Sequence, residues 1–178
     1  TALGFDYNTG RMYCVENKYV GGLGLIDLDT GAVDMLGHPN GDLYGNVYIP
    51  ALCVTADGTI VISDAVMNLY TINPDTLETK MIYQGNGEPS SAFYEAMCYD
   101  YNTGSIYWNP CDGAGYSPLY LVRMPQTEWE QATVVDMGDV ATKQGCQQTV
   151  RFSIPENEPE THHLPVESIE ILEGEALT

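Results

Sequence analysis

Ala96-Met-Cys-Tyr-Asp-Tyr-Asn-Thr-Gly104-Ser-Ile-Tyr107 decides the fold, because it occurs twice more in altered form. Its counterparts are Ala2-Leu-Gly-Phe-Asp-Tyr-Asn-Thr-Gly10-Arg-Met-Tyr13 and Ala51-Leu-Cys-Val-Thr-Ala-Asp-Gly58-Thr-Ile-Val61, so the period is 45 to 49 residues. A second block follows each copy: Leu25-Ile-Asp-Leu-Asp-Thr-Gly31, Tyr70-Thr-Ile-Asn-Pro-Asp-Thr76 and Tyr120-Leu-Val-Arg123. Short β-branched and aromatic runs separated by Asn, Asp and Gly read as strands and tight turns. A fixed period of this length built from short strands predicts the blades of a β-propeller.

Each repeat resolves into four antiparallel strands. The first strands are expected at 3–7, 51–56 and 96–101, the second at 11–15, 59–63 and 105–109. The third fall at 23–28, 69–73 and 119–124, the fourth at 32–36, 78–83 and 132–137. Helix-period stretches with caps are absent. The expected fold class is therefore all-β: a partial propeller of three four-stranded antiparallel blades (about 2–37, 51–84 and 96–138) plus an extra strand near 147–153. Three blades do not close a ring, since propellers have four to eight. The chain begins without Met, which points to a piece of a longer product. Missing upstream blades, or else a second copy of the chain, are expected to complete the ring.

After Pro155 the composition changes. Residues 154–165 are polar and Pro-containing, a linker. Residues 166–178 then alternate apolar and acidic, a strand pattern.

Six Lys and Arg against 25 Asp and Glu give a net charge of −19. A polyanion would be repelled, so nucleic acid is not an expected partner. No apolar run reaches membrane-spanning length, so membrane insertion is not expected. Cys53 and Cys98 hold the same place in successive repeats, and both are expected to be reduced and buried, as small apolar core residues. No Cys-x-x-Cys pair exists among the five cysteines, and no metal or other cofactor is expected.

Three segments match the start of a calcium loop: Asp6/Asn8/Gly10, Asp27/Asp29/Gly31 and Asp100/Asn102/Gly104. Their twelfth positions hold Asn17, His38 and Cys111, where the loop needs a carboxylate. They read instead as hairpin turns closed by an Asx side chain. Nucleophilic hydrolysis lacks a Gly-x-Ser-x-Gly elbow, and His38 is the sole histidine of the repeats. Asp42, Glu95 and Asp112 remain as loop carboxylates for glycoside cleavage. The Ser-x-Asp-x-Gly-x-x-Trp box of sialidase propellers is absent. No catalytic residue is assigned.

The stronger signal is an asymmetry between connections. First-to-second and third-to-fourth turns are short and nearly repeated. The second-to-third connections (16–22, 64–68, 110–118) and fourth-to-first connections (37–50, 84–95, 138–146) are long and differ in every repeat. Variable loops on a rigid scaffold are where binding resides. Candidate ligand residues on them are His38, Tyr44, Tyr48, Tyr94, Glu95, Asp112, Tyr116 and Gln147, with Trp108 just before. Pro50, Glu95 and Gln147 precede equivalent first strands and are expected to approach a central channel together. Aromatic faces beside amides and carboxylates suit a glycan or a protein segment.

The Tyr-Asn-Thr-Gly and Asp-Leu-Asp-Thr-Gly turns resemble those of bacterial cell-surface propellers of the YVTN and NHL repeat groups, over residues 2 to about 153. The 166–178 strand resembles the opening of a bacterial immunoglobulin-like domain. The resemblance implies a secreted or wall-attached binding module, outside the cell. Two other roles remain open: a non-catalytic part of a secreted carbohydrate-active hydrolase, and a structural spacer of a surface protein.

Overall fold

The structure is a computed structural model that describes residues 2–16, 21–43, 48–86, 94–111, 118–127, 130–139, 149–153 and 168–173. It divides into two units, Thr1–Asp139 and Val140–Thr178. The described residues form strands and turns only, with no helix.

The first unit holds three meandering sheets. β1 (Leu3–Asp6), β2 (Arg11–Val15), β3 (Leu23–Ile26) and β4 (Val33–Gly37) make the first, in that order. In the second, a two-residue strand β5 (Asn40–Gly41) comes first in the chain but lies at the far edge, beyond β6 (Leu52–Val54), β7 (Ile60–Ser63), β8 (Leu69–Ile72) and β9 (Glu78–Tyr83), which follow in order. β10 (Tyr94–Asp100), β11 (Ser105–Cys111), β12 (Pro118–Arg123) and β13 (Thr133–Asp139) make the third. Apart from β5, the strands of each sheet pair antiparallel in chain order. These are the three four-stranded blades expected from the repeat.

β5 is an addition that the repeat does not contain. Segment 37–50, expected to be a loop, sends Asn40 and Gly41 alongside Glu78 and Thr79 in parallel pairing. Asn40 N donates to Leu77 O at 2.9 Å, Asp42 N donates to Thr79 O at 3.1 Å, and Met81 N donates to Asp42 Oδ2 at 2.8 Å. The segment thereby satisfies backbone groups on the outer edge of β9 that would otherwise stay unpaired.

The turns repeat in atomic detail. Gly10, Gly31 and Gly104 have φ of 69°, 72° and 68°, and each donates its N–H at 2.8 Å to the carbonyl of Asp6, Asp27 or Asp100. That left-handed geometry suits Gly. The Asp side chains close the same turns: Asp6 Oδ1 accepts from Asn8 N at 2.9 Å, Asp27 Oδ1 from Thr30 N at 2.8 Å and Asp100 Oδ1 from Asn102 N at 2.9 Å. Hydrogen bonds to the charged form, from Thr30 at Asp27 and from the Thr103 hydroxyl and then Asn102 N at Asp100, hold both carboxyls below the usual carboxylate range. The segments that mimic calcium loops are thus Asx turns. In the second blade Leu77 replaces Gly at φ 61°, and its side chain packs on the core between the first two blades.

Packing follows the alternation of each strand. Tyr13, Val15, Leu23 and Leu25 of the first blade meet Leu52, Val54, Ile60, Ile62, Tyr70 and Ile72 of the second. The opposite face of the second blade, through Cys53, Val61 and Leu69, meets Met97, Tyr99, Ile106, Trp108 and Val122 of the third. The middle blade is covered on both sides, which explains why Ile60-Val-Ile-Ser63 is fully buried without polar alternation. The first strands lie innermost: β6 approaches both β1 and β10. A Cβ on Gly4 would sit 2.3 Å from Leu52 Cδ2, so β1 and β6 come too close there for a larger side chain. Beside the first-to-second turns, Tyr7 of blade one meets Tyr101 of blade three edge-on, ring centroids 5.3 Å apart.

Cys53 is buried and free, as expected, and burial pushes its thiol far up. Cys98 is free but exposed, which corrects its expected burial. The reason is positional: Cys98 lies on the face of the third blade that corresponds to the Cys53 face of the second. The second blade's face is covered by a neighbour, whereas Cys98, Val135 and Met137 are exposed.

In the second unit β14 (Thr149–Ser153) pairs antiparallel with β15 (Ser168–Glu173). β14 falls on the extra strand expected near 147–153.

Candidate functional site

Three sequence-distant residues converge where the second and third blades meet. Ser63 ends β7, Glu95 stands at the start of β10, and Trp108 lies on β11. Ser63 Oγ donates to Glu95 Oε2 at 2.5 Å, and Trp108 Nε1 donates to the same oxygen at 2.7 Å. Ser63 and Trp108 are completely buried. The indole also lies against Tyr120, ring centroids 5.6 Å apart. Glu95 Oε1 is buried and has no hydrogen-bond partner among the described residues. A buried polar atom without a partner is costly, so this oxygen calls for an explanation.

Asp64 supports the arrangement from the adjoining turn. Its Oδ1 accepts from Val66 N at 3.0 Å and Asn68 N at 2.9 Å, and its Oδ2 from Asn68 Nδ2 at 2.8 Å and Tyr70 Oη at 2.9 Å. Asn68 Oδ1 accepts in turn from Gly85 N at 2.9 Å. The β7–β8 turn is therefore tied to the chain leaving β9, two of the long connections on one side. Met67 adopts φ 68° inside this turn and is buried there.

The electrostatics follow from this geometry. Burial is the main cause that raises the Glu95 carboxyl, to about 8; the hydrogen bonds from Ser63 and Trp108 pull it down, and the charge of Asp64 pushes it up. At neutral pH Glu95 is mostly protonated. Its Oε1 then offers an O–H, while Oε2 accepts twice. Strongly shifted carboxyls concentrate at functional sites, though structural networks produce them as well.

Of the residues expected to bind ligand, Glu95 and Trp108 are brought together, but Trp108 is not an exposed platform. It belongs to the blade core, because position 108 faces the second blade, and it reaches the site through its N–H. His38 lies elsewhere, half-buried, with Nδ1 3.5 Å from Gly21 O. Tyr48 is half-buried just before Ile49 and Pro50, which are buried. The Tyr94 backbone pairs with Cys111 at the start of β10. Tyr44, Asp112, Tyr116 and Gln147 lie outside the described residues. Asp42, a candidate for paired-carboxylate chemistry, is engaged by the β9 edge. Ser63 and Asp64 were missed. Their signal was a polar pair ending an otherwise apolar strand, Ile60-Val-Ile-Ser-Asp64.

An open groove lies elsewhere. It is an open space of about 700 Å³ beside the short turns of the second blade, lined by Asp57, Asn73, Asp75 and Lys80. Its polar groups largely serve turn closure: Asn73 Oδ1 accepts from Asp75 N at 2.9 Å, and Asp57 Oδ1 from Thr55 Oγ1 at 2.5 Å. The Glu95 cluster has the more distinctive chemistry.

No family model matches the chain, and no curated protein matches it. Solved structures do. A structural genomics protein of unknown function from Bacteroides thetaiotaomicron matches with TM-score 0.54 and 18% identity, over 80% of this chain and 37% of its own length. TolB from Acinetobacter baumannii matches with TM-score 0.51 and 12% identity, over 99% of this chain and 44% of its own length. The chain thus spans less than half of either protein. At such identities the likeness concerns the fold alone, and it agrees with the sheets: the chain is all-β, three four-stranded antiparallel blades of a partial β-propeller.

Proposed function

We propose that this chain is an extracellular bacterial recognition module that takes a glycan or a protein segment on the side of its long connections. One observation carries the reading. Four of the short turns close in the same way, at Asp6, Asp27, Asn73 and Asp100, through the Asx side chain and a left-handed residue four positions on, whereas the long connections differ in sequence, and a carboxyl with unused hydrogen-bonding capacity stands among the latter. A rigid repeated scaffold with one variable side is the arrangement of a binding protein. A ligand hydroxyl or amide would satisfy Glu95 Oε1. The acidic surface steers away polyanions and tolerates neutral or cationic ligands. Placement outside the cell rests on the resemblance of the turns to those of bacterial surface propellers.

The intact chain probed on glycan and peptide arrays tests this. The expected result is a discrete bound set, weakened about tenfold or more by Tyr48→Ala or Glu95→Ala with melting monitored in parallel. A folded chain that binds nothing on either array overturns the reading and leaves the spacer role.

A further inference from the structure

The contact between the second and third blades holds an ionisable group that no opposite charge compensates. Glu95 reaches from the start of β10 to Ser63 at the end of β7. Its Oε2 takes both donors, Ser63 Oγ at 2.5 Å and Trp108 Nε1 at 2.7 Å, while Oε1 is buried without a partner. The neighbouring elements contribute neutral or negative groups. From β6 comes the Cys53 thiol, which burial keeps neutral. From the β7–β8 turn comes the Asp64 charge, with the Tyr70 phenol of β8 bonded to it at 2.9 Å. From β11 come Trp108, with the Tyr120 ring of β12 against it, and Cys111, opposite Tyr94. Among the described residues no Lys, Arg or His is paired with Glu95. The stretches 64–68, 84–93 and 109–118, which connect these strands, contain no Lys, Arg or His, whereas Glu88 and Asp112 add negative charge.

A protonated Glu95 fits this place, because a neutral acid beside Asp64 has no charge to balance. Once the proton leaves for water, a second carboxylate stands beside the first, with two donors on one oxygen and none on the other. A buried charge without a partner is relieved only by reaching water. The place to yield is the Ser63–Asp64 end of the contact. The β7–β8 turn beyond it holds Met67 at φ 68°, a strained conformation, and is secured through Asp64 and through Gly85 N, which donates to Asn68 Oδ1 at 2.9 Å.

We propose that Glu95 is a proton-operated latch between the two blades: protonated, it closes the end of β7 on the start of β10, and ionised, it releases that end and frees the β7–β8 turn while the blades stay folded. In the closed state the carboxyl titrates at about 8, and in an open, hydrated state at its ordinary 4.5. The latch is therefore fully set below about pH 4.5 and lost as pH rises through about 8. Between these values the open fraction rises by up to about tenfold per pH unit.

Hydrogen exchange followed by NMR from pH 5 to 8 tests the latch. The probes are the Trp108 indole N–H and the amides of Val66, Met67 and Asn68; the amides of β2 in the first blade report global unfolding. Comparison with Glu95→Gln at each pH cancels the intrinsic pH dependence of exchange. Wild type should exchange increasingly faster than Glu95→Gln at the probes, by up to about tenfold per pH unit, and the two should differ less at β2. Should Glu95→Gln fail to fold, the ratio of the 66–68 amides to the β2 amides within wild type gives the same reading, and it should rise with pH. Equal exchange in the two proteins at every pH, or a flat ratio within wild type, overturns the proposal. An equal gain at the probes and at β2 overturns it too, since the whole fold would then be opening. No ligand enters the measurement, so its outcome is separate from that of the recognition role.

Discussion

Replacing Glu95 with Gln isolates the energetic signature of the inter-blade carboxyl. The amide is nearly isosteric with the protonated acid: its oxygen can accept from Ser63 Oγ and Trp108 Nε1, and its NH2 takes the place of the unpartnered Oε1. In the folded chain Glu95 titrates at about 8 against an ordinary value of 4.5. A raised carboxyl means that the folded state holds the proton more tightly than the unfolded state. The stabilisation is therefore complete below about pH 4.5 and is lost as pH rises through about 8. Within that window one proton costs at most about 1.4 kcal/mol per pH unit, so wild type should lose about 2 to 3 kcal/mol between pH 5 and 7 from this group. The upper bound over the whole window is about 5 kcal/mol. The Asp27, Asp57 and Asp100 carboxyls are lowered by hydrogen bonds, so their linkage falls at acid pH, outside the window. Urea denaturation at half-unit intervals from pH 5 to 9, for wild type and Glu95→Gln, reads the difference directly. The variant should match wild type near pH 5 and exceed it increasingly toward pH 8. Parallel stability curves for the two proteins would refute the buried, protonated Glu95.

Three further outcomes follow from the packing. Trp108→Phe keeps an aromatic ring in the core but removes one of the two donors to Glu95, so it should cost about 1 to 3 kcal/mol and move the Glu95 midpoint further up; an unchanged midpoint in the same denaturation series would contradict the hydrogen bond. Gly4→Val places side-chain atoms against Leu52 and Val54 and should destabilise by about 1 to 3 kcal/mol, whereas Gly10→Ala, with open space around it, should cost only the strain of its φ of 69°, about 1 kcal/mol; thermal melts rank the two. Cys14 and Cys53 should resist alkylation until the chain unfolds, while Cys98 reacts in the folded chain; mass mapping of the modified thiols reads the order.

The blade architecture was legible because its signals are local. An Asp-x-Asn-x-Gly segment closes its own turn through bonds two to four residues apart, and period-two runs mark the strands whatever they later pack on. All twelve blade strands fall at the expected places, within a few residues at their ends. The acidic balance and the contrast between short and long connections needed no coordinates either. Position 95 was singled out from repeat alignment alone.

Tertiary structure decided the rest. Which face of a blade is covered depends on its neighbours, so Cys53 and Cys98 look alike in sequence yet one is buried and the other exposed. Asn40 and Gly41 pair with β9 because an unpaired strand edge lies within reach, a fact that a sequence with no strand signal at 40–41 cannot carry. Ser63, Glu95 and Trp108 come from three strands and meet only when two blades pack. Their shared oxygen, the unpartnered one beside it and the raised proton affinity are consequences of burial at that contact. Local chemistry wrote the strands and turns, and the meeting of blades, through desolvation, made a surface carboxylate into a buried acid.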